Sequence, residues 1–68
     1  MAPELKEETF NTGDVVRVRE GAVHIKPQFH STEGTVIRWT HDHWYIVNIA
    51  YSVTLLRASE LQLVRRAG

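Results

Sequence analysis

Apolar and polar positions are most tightly ordered between residues 34 and 49, where Val36, Ile37, Trp39, Trp44, Tyr45, Ile46, Val47 and Ile49 are interrupted by His41 and Asp42. β-Branched and aromatic side chains fit a pleated surface, so this stretch predicts two strands joined by a tight polar turn. Pairing about that turn sets Trp39 opposite Trp44, Arg38 opposite Tyr45, Ile37 opposite Ile46 and Val36 opposite Val47. One face then carries Ile37, Trp39, Trp44 and Ile46, and the other Val36, Tyr45, Val47 and Ile49. Both are apolar, yet a single-layer hairpin can turn only one of them into a core. The expectation is that Val36, Tyr45, Val47 and Ile49 are the core side and that Ile37, Trp39, Trp44 and Ile46 form a partner-binding surface.

The flanking segments are shorter. After turn chemistry at Gly13-Asp14, residues 15–19 alternate Val16 and Val18 with Arg17 and Arg19, which predicts a strand with the two valines inward. Residues 52–56 predict another, with Val53 and Leu55 on one face and Thr54 and Leu56 on the other. Residues 57–60 suit a single 3₁₀ turn, because Ser59 and Glu60 compete for backbone groups, and residues 61–64 read as a last strand. Between residues 20 and 33 the pattern breaks down around Gly21, Pro27, Gln28, His30, Ser31 and Thr32. A loop of this length in a small domain is either functional or conceals an element. Val23-His24-Ile25 is the candidate, a short edge strand ended by Pro27. Five or six short strands, with no room for a helix, define an all-β fold built as a small barrel. Residues 13–64 form that barrel. Residues 1–12 read as a flexible leader that docks Phe10 at the barrel edge, and residues 65–68 as a frayed tail.

Composition narrows the function. Sixty-eight residues make one domain at the small end of what folds alone, so self-association or a partner would help it. The absence of cysteine excludes a disulfide framework, a thiolate zinc site and a cysteine nucleophile, and points to the cytoplasm. No apolar run approaches the roughly 20 residues of a membrane span, and the acidic start is not a signal peptide. Eight basic and eight acidic residues cancel, which disfavours a domain held on nucleic acid by phosphate neutralisation. Arg17, Arg19, Arg38 and Arg57 beside the two tryptophans leave a nucleic-acid-binding barrel as an alternative reading.

Candidate chemistry is sparse. His41 and His43 lie two apart around Asp42, but a closed zinc site takes four ligands, and only His24 and His30 in the loop could complete it. They read instead as polar caps on the turn, with no metal. Ser31, Ser52 and Ser59 lack the setting of an activated nucleophile. Asp14, Glu20, Glu33 and Glu60 sit where turns are expected, and no glycine-rich phosphate loop is present. The expectation is a non-enzymatic module without a cofactor, contacting protein through the tryptophan face with help from His24, Lys26, Phe29 and His30 of the loop.

The motifs GDVVRV, EGTVIRW, YIV and SVTLL…EL, in that order across residues 13–64, resemble the SH3-like barrels grouped as electron-transport accessory proteins. That group includes the PsaE-type subunit of photosystem I, the variable subunit of ferredoxin–thioredoxin reductase, the barrel of the nitrile hydratase β subunit and the type II dihydrofolate reductases. The resemblance implies an SH3-like barrel of five or six antiparallel strands with one 3₁₀ turn near the C-terminus. It also implies an accessory role, docked on a larger enzyme or on itself. The type II reductases look most similar in layout, at Gly34-Thr35-Val36-Ile37-Arg38-Trp39 and Ser52-Val53. They contact the nicotinamide cofactor and folate through a Val-Gln-Ile-Tyr strand. Val53-Thr54-Leu55-Leu56 stands in that place here, without the amide and the phenol, so no catalytic residue carries over. A dinucleotide-binding scaffold lacking those residues is the remaining alternative.

Overall fold

A computed structural model describes residues 9–68. The chain is all-β, with strands β1 (Val15–Val18), β2 (Glu33–His41), β3 (Trp44–Ile49), β4 (Ser52–Arg57) and β5 (Leu61–Arg65). Two single 3₁₀ turns, Pro27–Phe29 and Ala58–Glu60, complete the elements, the second where Ser59 and Glu60 predict it. All pairings are antiparallel, in the order β4-β3-β2-β1-β5. The sheet is not closed, and β4 and β5 are its edges. Only Ala58, Ser59 and Glu60 join those edge strands, and three residues reach about 10 Å. The sheet must therefore curl until the end of β4 comes near the start of β5, which lets one layer enclose a core.

That core is the inner face of the curl. Val16 and Val18 of β1, Val36 of β2, Tyr45, Val47 and Ile49 of β3, Leu56 of β4 and Leu61 of β5 are buried together, with Ile25, Phe29 and Leu63 packed against them. The side of the hairpin assigned to the core from its alternation is the side that is buried. Gly34 marks the tightest approach within it. A Cβ there would lie 2.6 Å from both the Asn48 carbonyl oxygen and Ile49 Cγ1.

Three expectations are corrected. The β2–β3 register holds from Gly34↔Ile49 to Val36↔Val47, then slips at two irregularities, giving Arg38↔Ile46, Trp39↔Tyr45 and His41↔Trp44. Each β-bulge inserts one extra residue on β2, and alternation alone carries no signal for such an insertion. Trp39 and Trp44 are therefore not a cross-strand pair, and Ile37, Trp39, Trp44 and Ile46 do not form one continuous face. Val23-His24-Ile25 is not a strand; it is a bend leading into the Pro27–Phe29 turn. The sixth strand is accordingly absent among the described residues.

The chain ends are also held differently. Residues 1–8 of the expected leader lie outside the described residues. Phe10 is buried in the core, its ring 5.3 Å from Tyr45 in an edge-on contact, and its N–H donates to the Tyr45 hydroxyl at 3.2 Å. At the other end β5 includes Arg65, and the next two residues are tied to Asp14 rather than frayed: Arg66 at 2.9 Å and the Ala67 N–H at 2.8 Å.

Candidate functional site

The β3–β4 hairpin and the loop between β1 and β2 create the most distinctive surface. Ala50 and Tyr51 close the hairpin as a two-residue turn, both with positive φ, 51° and 65°. Such turns follow the strand twist and place a hydrogen-bonded pair, Ile49 and Ser52, next to the turn. Antiparallel alternation then fixes the rest of β4: Ser52, Thr54 and Leu56 bond to β3, while the N–H and C=O groups of Val53, Leu55 and Arg57 point to the open side. The Arg57 N–H confirms this parity, since it donates outward to Glu60 Oε1 at 3.0 Å. No described residue hydrogen-bonds to the backbone of Val53 or Leu55 on that side.

Beside this edge runs a groove of about 420 Å³. His24, Ile25, Lys26, Gln28 and Phe29 form one wall, Ser52, Val53 and Thr54 the other, and the buried Ile49 also lines it. Along the edge Val53 is 65% exposed and Leu55 44%, and Tyr51 at the tip is fully exposed. Val53 pairs with Asn48 and Leu55 with the half-buried Ile46, so Ile46 and Leu55 lie side by side on the outward face.

Glu60 holds the loop in place. Its carboxylate is buried, with Oε2 accepting the Val23 and His24 N–H groups at 2.8 and 3.0 Å. Oε1 accepts the Arg57 N–H and, at 2.8 Å, His24 Nδ1–H. Burial pushes its pKa up, but the hydrogen bonds from the His24 and Arg57 backbones and from the His24 imidazole outweigh that and hold it below its ordinary value. The His24 ring then lies edge-on to Trp44, with centroids 4.8 Å apart. His30 is turned inward: its Nε2–H donates to the Ala22 carbonyl at 2.9 Å, and the Gly21 N–H reaches its Nδ1 at 3.4 Å. Of the four loop residues singled out from the sequence, His24, Lys26 and Phe29 line the groove and His30 does not.

The tryptophan cluster is divided. Trp39 is 55% exposed and its indole N–H donates to the Asp42 carbonyl at 2.8 Å, pinning the ring to the β2–β3 turn. Trp44 is half-buried against His24, Ile46 is half-buried beside Leu55, and Ile37 sits exposed at the first bulge. The arginines are dispersed as well. Arg17 pairs with Glu33 at 2.9 Å, and Arg19 Nε–H donates to the Leu61 carbonyl at 3.2 Å. His41 and His43 remain at the β2–β3 turn, with the His43 carbonyl accepting the Ala58 N–H at 2.7 Å. Among the described residues, no three of His, Asp or Glu come together as metal ligands.

Alternation along the strands could not reveal the open edge, because which strand lies outermost depends on strand order. A local signal did exist: SVTLL carries no charge and no proline, the devices that usually protect an edge. No described helix is long and apolar enough to cross a membrane. No family model matches this chain, and no curated protein or solved structure matches it either.

Proposed function

We propose that this chain is a non-catalytic SH3-like module that acts through protein–protein contact, with the β4 edge and its adjoining groove as the contact surface. The observation that carries the reading is the open edge of β4, where the Val53 and Leu55 backbone groups lack partners among the described residues beside exposed apolar side chains. An edge of this kind accepts an extended strand, since main-chain hydrogen bonds supply affinity and a flanking groove sorts side chains. The strand order, with a 3₁₀ turn between β4 and β5, supports the SH3-like assignment. The accessory role follows from the resemblance to electron-transport accessory barrels. The two buried carboxylates favour a non-catalytic role, because Asp14 and Glu60 are already engaged by backbone N–H groups.

The test is amide hydrogen exchange with the chain at high concentration and with extracts of its source cells. Slowed exchange at Val53 and Leu55 is expected in at least one of these conditions. Free exchange at both amides in every condition, with no protein retained by the immobilised chain, would sink the reading.

A further inference from the structure

Resting on that reading, we infer that the β4 edge takes a second copy of this chain, the two β4 strands pairing antiparallel about a two-fold axis at Thr54. The residues with free outward backbone groups are Val53 and Leu55, one on each side of Thr54. The next outward N–H, on Arg57, already donates to Glu60. With Thr54 opposite Thr54 of the second copy, Val53 faces Leu55 of the second copy and Leu55 faces Val53. Each of these pairs exchanges two main-chain hydrogen bonds, so all four N–H and C=O groups on each edge are satisfied. A register centred one residue either way either calls on the occupied Arg57 N–H or runs into the Ala50-Tyr51 turn. The pattern of free groups is thus complementary to itself, as a two-fold contact requires.

Side chains and charge agree with this occupant. On the outward face Val53 comes to lie against Leu55 of the second copy, with each copy's Ile46 flanking its own Leu55, so three exposed or half-exposed apolar residues per chain are covered. Tyr51, fully exposed on a strained turn, falls across from Arg57 of the second copy. Residues 52–56 carry no charge and the whole chain has a formal net charge of zero, so like-charge repulsion does not oppose the approach. β4 also pairs with β3 in unbroken register, whereas β2–β3 and β1–β5 contain irregularities. A regular, uncharged edge is the kind that pairs with another strand.

Sedimentation of the full chain over a concentration series is expected to give a monomer–dimer equilibrium. Val53→Lys and Leu55→Lys should each weaken it by roughly tenfold or more, the effect of losing one good contact and adding repulsion across the two-fold. Both positions are exposed, so the variants should keep the parent's circular dichroism. Thr54→Cys is a second, independent readout. The parent has no cysteine, and residues facing each other in a non-hydrogen-bonded antiparallel pair are close enough for a disulfide. The variant should form a disulfide dimer under mild oxidation, while Ser52→Cys, which faces Leu56 of the second copy, should not. A monomer at every concentration, a dimer untouched by both lysine variants, or equal cross-linking from positions 52 and 54 would overturn the proposal. Protection of the Val53 and Leu55 amides by a different protein, with the chain alone monomeric, would overturn the second copy while leaving the binding role standing.

Discussion

At the scale of single residues, two buried carboxylates do work that their positions in turns only hint at. Glu60 satisfies three backbone N–H groups and one imidazole, tying the β1–β2 loop to the turn before β5. Glu60→Ala leaves those donors unpaired and should cost about 3 kcal/mol in denaturant unfolding, with the loop's amides exchanging faster. Asp14 does the same at the other end, accepting the Asn11 and Ala67 N–H groups and Arg66. The Asn11 and Ala67 bonds, aided by Arg66, overcome burial and lower its pKa. Both carboxylates are thus lowered in the fold. Their contribution is present above the ordinary carboxylate range near pH 4 and is lost as pH falls through the depressed values. Stability should therefore drop on acidification below about pH 4. Asp14→Asn should lower stability at neutral pH and flatten that acid limb, as read from unfolding curves across pH. Gly34→Ala places a methyl against Asn48 and Ile49 and should cost about 1–3 kcal/mol by the same measurement.

At the scale of elements, the β3–β4 turn is built from residues that suit it poorly. A two-residue turn with both φ values positive favours Asn-Gly, whereas Ala50 and Tyr51 occupy it here. Replacing the pair, Ala50→Asn with Tyr51→Gly, should stabilise the chain by about 1 kcal/mol in thermal or denaturant unfolding. If Tyr51 serves the contact surface, the same change should weaken association while it stabilises the fold. The β2–β3 hairpin illustrates a different element-level effect. Its bulges at the Ile37 and Thr40 positions separate Trp39 from Trp44 and send each ring to its own partner, the Asp42 carbonyl and the His24 ring.

Taken whole, the molecule is a curled five-stranded sheet with two edges, and along one of them the outward backbone groups of Val53 and Leu55 lack partners among the described residues. Sixty-eight residues supply a small core, so pairing through β4 would add to its stability by mass action. The midpoint of thermal unfolding should accordingly rise with protein concentration for the parent and stay constant for Val53→Lys, as measured by calorimetry. A midpoint independent of concentration in the parent would argue that the fold is complete as a monomer.

The five strands, the core face of the β2–β3 hairpin and the closing 3₁₀ turn were legible in the order of residues alone, because a period of two in β-branched and aromatic residues depends only on near neighbours. Val16, Val18, Val36, Tyr45, Val47 and Ile49 were legible in that way. The remaining features depend on contacts between distant parts of the chain. A bulge adds a residue without changing composition, so the divided tryptophan cluster could not be read from spacing. Glu60 and Asp14 meet partners 36 or more residues away, and local turn chemistry does not encode such partners. Above all, whether SVTLL lies inside the sheet or at its rim depends on which strands stand beside it. Only the strand order leaves Val53 and Leu55 with hydrogen-bonding groups facing outward.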